Sequence, residues 1–161
     1  MNAEARAQKI VSYGNAHTLL VHAVQQFPPA MWQFKPAPDQ WSIHEIVIHL
    51  SDSEAHSYIR CRTSIAEPRQ VVMAFDEHQW ATALRYHDQS AEAALDLIKW
   101  LHLRTSTLIQ SLPDSVWSHT FEHPENGTLS LDDWLDVYER HIPDHIDQMK
   151  GVYAAWRART W

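Results

Sequence analysis

Apolar residues recur three and four positions apart along four long segments of this 161-residue chain. That spacing places them on one face of an α-helix. Prolines separate the segments, and only three glycines occur, which argues against the many tight turns of a β-sandwich or barrel. The pattern therefore predicts an all-α fold, a four-helix bundle in a single domain over residues 1–161.

The predicted helices have recognisable ends. Ser42 and Glu45 match a capping box, in which hydroxyl and carboxylate oxygens accept hydrogen bonds from backbone N–H groups at the start of a helix. Ser130 is a similar cap for the last helix, and the Pro28-Pro29 pair ends the first. We expect the helices at about residues 3–27, 42–67 and 90–112, and from residue 130 onward.

Three local features complete the predicted fold. Residues 75–86 predict a short extra helix between the second and third long helices. Residues 117–129 predict a loop, with a turn at Glu125-Asn126-Gly127. The first helix is expected to bury one stripe, formed by Ile10, Gly14, His17, Val21 and Val24.

The composition of the chain argues against two classes of protein, nucleic-acid-binding and membrane-spanning. The formal charge is −7, from 20 acidic against 13 basic residues, and no long basic cluster occurs, so nucleic-acid binding is not expected. The sequence contains no run of 18 apolar residues, so no membrane-spanning helix is predicted. The single cysteine, Cys61, cannot form an internal disulfide and is expected in the core, which agrees with a reducing, cytoplasmic location.

Twelve histidines are the compositional oddity. Two pairs have the i, i+4 spacing that lets neighbours on a helix share a ligand. His119 and His123 lie in a turn-rich segment, where an extended chain would hold them about 13 Å apart. His141 and His145 lie in a strongly periodic helix, close to its apolar stripe. On spacing alone, a metal site and a hydrogen-bonded core pair explain the second pair about equally well.

A third metal ligand has to come from another helix. His49 lies at the border of the buried face of the second helix, while His17 and His102 lie more centrally on theirs. Helical position alone does not choose among these three histidines.

Two stretches resemble the DinB/YfiT superfamily of four-helix-bundle proteins. Residues 41–54 are similar to its "WS-x-x-E…HL-x-D-x-E" stretch, and residues 138–149 to its "H-x-x-x-H-x-x-Q" ending. Residues 123–135 also resemble the approach to its last helix. The order and spacing of these stretches extend the resemblance over essentially the whole chain.

The resemblance implies a divalent cation, often zinc or nickel, bound by three histidines. The family's ligands match His49, His141 and His145, so that His17 and His102 become core or supporting residues. The family includes metal-dependent hydrolases and transferases that use low-molecular-weight thiols. A small-molecule substrate and a homodimer are therefore expected by resemblance.

The catalytic groups are less defined by the sequence. Glu45 and Asp52 flank His49 by about one turn each and are the candidate catalytic carboxylates, with capping or solvated roles as the alternative. Asp76 and Glu77 are interpreted as charges at a helix N-terminus. A rival hypothesis is a non-catalytic bundle that binds a small ligand or a protein partner, with the metal structural or absent. Most of the eight tryptophans are expected in the core or at an interface, with one or two lining a substrate cavity.

Overall fold

Four long helices and one short helix form most of the protein, whose computed structural model describes residues 1–159. Trp161, one of the tryptophans expected in the core or at an interface, lies outside these residues. The elements in chain order are α1 (Ala3–Gln25), α2 (Ile43–Ala66), α3 (Glu77–Ala83), α4 (Ala91–Ile109), β1 (Thr120–His123), β2 (Gly127–Ser130) and α5 (Leu131–Ala158).

The long helices α1, α2, α4 and α5 make the bundle. Helix α2 packs against α4 and α5, and α1 packs against the same two helices from the opposite side. The predicted all-α four-helix bundle is confirmed, and α3 is the short extra helix expected within residues 75–86. None of the helices described is long and apolar enough to cross a membrane.

The interval predicted as a loop contains a β-hairpin, so the loop prediction is wrong, although the predicted turn at Glu125-Asn126-Gly127 does connect the two strands. A 3-10 turn at Asp114–Ser118 leads into β1, which pairs antiparallel with β2. Phe121 and His123 point inward along β1 and are buried, and Gly127 begins β2 with a φ of 72°. A four-residue strand contains too few alternations to stand out from a polar loop in the sequence.

The buried face of α1 is also displaced from the predicted stripe. Its buried residues are Tyr13, Ala16, Leu20 and Val24, whereas Gly14 is exposed. The Tyr13 ring stacks on His102 with the ring centroids 4.5 Å apart. Burial of an aromatic ring removes far more apolar surface from water than burial of a glycine does. The helix is therefore oriented so that Tyr13 is buried.

Helix caps and an unbroken last helix position the histidines of this chain. The Ser42–Glu45 capping box forms as predicted, and Ser130 with Asp133 forms a second one. Helix α5 runs unbroken for 28 residues through Pro143. His141 and His145 therefore remain one turn apart on the same face.

Candidate metal centre

Three imidazoles converge between α2 and α5. His49 projects from α2, and His141 and His145 project from α5. One ring nitrogen from each lies within 4.8 Å of those from the other two. The ring centroid of His145 lies 4.8 Å from that of His49 and also 4.8 Å from that of His141. This is the set of histidines that the resemblance identified, and the fold brings all three together.

The surroundings of His49 suit a metal ligand. Its side chain is 2% exposed, and neither ring nitrogen has a hydrogen-bond partner among residues 1–159. An unsatisfied buried polar group costs about 1–3 kcal/mol, which is why buried imidazoles normally bind a partner. A divalent ion held by imidazoles would satisfy one of these nitrogens. The donor set of three imidazoles fits zinc, nickel, iron or copper.

Polar side chains orient the two histidines of α5. His145 Nδ1 lies 2.7 Å from Gln148 Oε1, an acceptor that favours the proton on Nδ1 and leaves Nε2 free to bind a metal. His141 Nδ1 lies 3.4 Å from Glu54 Oε1. Such contacts on the second nitrogen fix the orientation and tautomer of a ligating imidazole.

Glu54 is the buried carboxylate that sequence reasoning did not single out. It is 1% exposed and forms an ion pair with the equally buried His102, with Glu54 Oε2 and His102 Nε2 3.0 Å apart. Burial alone would raise the pKa of Glu54, but the charges of His102 and His141 lower it to about 2. The pKa of His102 is raised against its own burial by the charge of Glu54. The sequence could have pointed to Glu54, because this glutamate lies in the family-like stretch of residues 41–54 and falls on the buried side of α2.

The pKa values of two of the clustered histidines lie far below the ordinary range. Burial, followed by the proximity of His145 and His141, lowers the pKa of His49 to about 3. Burial, followed by the proximity of His141, lowers the pKa of His145 to about 4. Both rings are therefore neutral at pH 7, which is the form that binds a metal ion.

The metal-free protein is expected to lose stability as the pH falls from 7 to 5. Unfolded histidines gain a proton near pH 6.5, whereas folded His49 and His145 remain neutral until about pH 3 and 4. Within that window the unfolded chain binds more protons, so protons favour unfolding. His102, with its raised pKa, works in the opposite direction but is one group against two.

Urea unfolding in the presence of a chelator, at pH 7 and at pH 5, measures this effect. We expect a lower urea midpoint at pH 5 and a smaller difference between the two pH values in His145→Gln. A midpoint that rises on acidification would contradict the burial of neutral imidazoles.

Two cavities reach the histidine cluster. One, of about 640 Å³, is lined by His145, Gln148, Trp41 and Glu77 among others. The second, of about 490 Å³, is lined by His49, His141 and again Glu77. Glu77 Oε2 lies 3.8 Å from His49 Nε2, so the residue interpreted as a helix N-terminal charge also faces the site. The cluster is thus accessible to a small molecule from both sides.

The two candidate catalytic carboxylates have other contacts. Glu45 accepts hydrogen bonds from the Ser42 N–H and from Lys35 Nζ, as expected of a capping residue. Asp52 accepts a hydrogen bond of 2.6 Å from the Tyr86 hydroxyl. Neither lines either of the two cavities that reach the histidine cluster. A catalytic role for them stays a prediction, to which the geometry adds no support.

The remaining sequence candidates lie outside the cluster. Cys61 is fully buried, and burial raises the pKa of its thiol to about 12, in agreement with a core residue. His17 is half-buried on α1. His119 and His123 lie in extended chain at and before β1, so their i, i+4 spacing does not bring them together as on a helix. Trp41 lies beside the cluster, with its ring centroid 4.7 Å from that of His49.

A sequence model of the DinB superfamily matches residues 13–149. The chain belongs to the DinB superfamily. The resemblance seen in residues 41–54 and 138–149 is thereby confirmed. An Oceanobacillus iheyensis relative, named a "putative metal-dependent hydrolase", is 33% identical over 112 residues, which cover 70% of this chain and 64% of the relative. This DinB-superfamily chain thus spans just under two thirds of the length of the curated relatives it matches.

Two solved structures share the fold. YfiT from Bacillus subtilis, described as a probable metal-dependent hydrolase with an unusual four-helix bundle topology, matches with a TM-score of 0.88 at 24% identity, over 96% of this chain and 89% of YfiT. A mycothiol-dependent maleylpyruvate isomerase matches with a TM-score of 0.71 at 10% identity, over 89% of this chain and 60% of the isomerase. At these identities, both matches establish the fold of this DinB-superfamily chain.

Proposed function

We propose that this protein binds one divalent metal ion through His49, His141 and His145 and uses it to transform a small molecule. The observation that carries the proposal is the convergence of three imidazoles, with ring nitrogens within 4.8 Å of one another, beside two cavities. The names of the relatives, which describe metal-dependent hydrolases, support the same assignment. Zinc and nickel are the proposed ions.

A zinc ion held in this way would lower the pKa of a coordinating water to about 7 and would favour the thiolate form of a coordinating thiol, so that either would supply a nucleophile at neutral pH. The residues of the chain then have separate tasks. His49, His141 and His145 hold the ion, and Gln148 and Glu54 orient two of the rings. The carboxylate of Glu77 faces both cavities, and we assign it the acceptance of a proton from the nucleophile.

Two reaction classes fit such a site. Hydrolysis is supported by the names of the relatives, and thiol-dependent transfer by the fold match to a mycothiol-dependent isomerase. The rival hypothesis of a non-catalytic bundle requires a closed or absent metal. A closed site is disfavoured because no fourth His, Cys, Asp or Glu of residues 1–159 joins the three imidazoles in the cluster, so an ion there would keep a position open. A homodimer and a cytoplasmic location stay predictions.

Metal analysis by plasma mass spectrometry on untagged protein is the first test. We expect about one divalent ion per chain. The loaded protein is then assayed with ester and amide panels, and separately with a low-molecular-weight thiol and an electrophilic acceptor. Folded protein that contains no metal and does not load with zinc or nickel would contradict the proposal. A loaded protein inactive in both panels would leave the structural-metal hypothesis as the better one.

A further inference from the structure

We infer that Arg60 and Tyr138 form a binding site for a carboxylate group of the substrate. Both line the 490 Å³ cavity that also contains His49 and His141. The inference rests on the proposed function for the identity of the reacting site, and it adds the chemical class of the molecule that enters. The substrate would carry a carboxylate at one end and its reacting group at the end that meets the imidazoles.

Arg60 is a cation held in place without an acidic partner. Its Nη1 donates to the Tyr138 hydroxyl oxygen at 2.8 Å, and its Nη2 donates to the Met73 carbonyl at 2.6 Å. No aspartate or glutamate among residues 1–159 forms an ion pair with it, and its buried Nε has no hydrogen-bond partner there. A fixed guanidinium with free N–H groups is well suited to bind a planar carboxylate.

Tyr138 supplies a second donor towards the histidines. Because its oxygen accepts from Arg60, its O–H is directed elsewhere, and Arg60 is its one side-chain hydrogen-bond partner among the described residues. Its ring centroid lies 5.7 Å from that of His141. The phenol therefore lies between the guanidinium and the proposed metal ligands, where its proton can reach a carboxylate oxygen.

The charges around the cavity favour a single carboxylate over a more highly charged group. Asp76, Glu77 and Glu125 also line the cavity and would repel a dianion such as a phosphate monoester. Asp76 is engaged with the backbone N–H of Gln79, and Arg60 is the one Lys or Arg in the lining. Arg60 is thus the one side-chain cation of the lining that is fixed away from the imidazoles, and a carboxylate bound there would leave the reacting group of the molecule facing the proposed ion.

Arg60 also lines a third and more apolar cavity, of about 310 Å³, together with Ile59, Val71 and Met73. Tyr138 does not line that cavity, so the paired donors act together only on the histidine side. The proposed carboxylate site therefore lies in the cavity with His49 and His141.

The probe is 4-fluorobenzoate, with 4-fluorobenzamide as its neutral counterpart, and binding is followed by ¹⁹F NMR on zinc-loaded and on chelator-treated protein. We expect the benzoate to bind both forms better than the amide does. Arg60→Gln and Tyr138→Phe should each weaken benzoate binding, the former by about tenfold or more. Arg104→Gln, which removes the same charge from the exposed surface of α4, is the matched control and should leave binding unchanged.

The outcomes separate the carboxylate site from the metal site. Benzoate binding that vanishes on chelation and survives in Arg60→Gln would mean that the carboxylate binds the ion directly, and would overturn the inference. Binding equal for benzoate and benzamide would overturn it as well. Failure of the proposed function would instead appear as protein without metal, in which the Arg60-dependent preference for benzoate persists. Tyr138→Phe keeps the test decisive if Arg60→Gln does not fold.

Discussion

Replacing His145 with alanine is expected to reduce the bound metal from about one ion per chain to nearly none. Two imidazoles, with water in place of the third, hold zinc or nickel far more weakly than three imidazoles do. Each protein ligand adds several kcal/mol of binding free energy at a preorganised site. Any activity that depends on the ion should be lost with it. The same loss is expected for His49→Ala and His141→Ala, and it is measured by plasma mass spectrometry after dialysis.

His78→Ala is the matched control for this prediction. His78 lines the same 640 Å³ cavity as His145 but does not belong to the cluster of three. It should therefore retain the full metal content. Circular dichroism establishes that each variant is folded. Full metal content in folded His145→Ala, or turnover that persists after its metal is gone, would contradict the assignment of this residue as a ligand.

The second large effect is expected at Glu54. Glu54→Ala leaves the buried His102 without its ion-pair partner and His141 Nδ1 without its acceptor. Removal of one member of a buried pair costs about 3–5 kcal/mol in the free energy of unfolding. Metal affinity should also fall by about 10- to 100-fold, because the orientation of His141 depends on this contact. Urea unfolding of chelated protein and competition with a metallochromic dye measure the two effects separately.

Glu54→Gln distinguishes orientation from charge. The amide keeps an acceptor oxygen near His141 Nδ1 but removes the negative charge beside His102. We expect it to recover much of the metal affinity while remaining destabilised. Asp147→Ala, which removes an exposed carboxylate from α5, should change neither quantity appreciably. Wild-type affinity and stability in Glu54→Ala would contradict a supporting role for this residue.

The long helices were predictable because their signals are local and repeated. Capping at Ser42 and apolar spacing along α2, α4 and α5 fixed the bundle from the sequence, since many positions agree on one helical period. The hairpin was not predictable in this way. Its two strands have four residues each, and β1 is held partly by backbone hydrogen bonds to a distant segment. The Val72 N–H donates to the Glu122 carbonyl, and the Glu122 N–H donates to the Gln70 carbonyl, about 50 positions away in the chain.

The candidate metal site was likewise predictable only where its contacts lie within one helix. The pairing of His141 with His145 follows from helical spacing, but the choice of His49 over His17 and His102 came from the family resemblance. Helical position could not select it, because the partner of each face depends on how the helices pack. Glu54 and Glu77 were missed for a related reason. Each meets a histidine of another element, and contacts of that kind have no signature in a single sequence.

The three clustered histidines come from only two helices, which are separated by most of the chain. Between His49 and His141 the polypeptide forms α3, α4 and the hairpin before α5 returns to α2. An ion shared by the two helices would join the ends of that long segment only in the folded protein, and would stabilise the folded state by its binding free energy. Refolding kinetics should accordingly show the metal captured late, after α2 and α5 have met, so that an isolated α5 peptide with its two histidines would be a poor substitute for the assembled bundle.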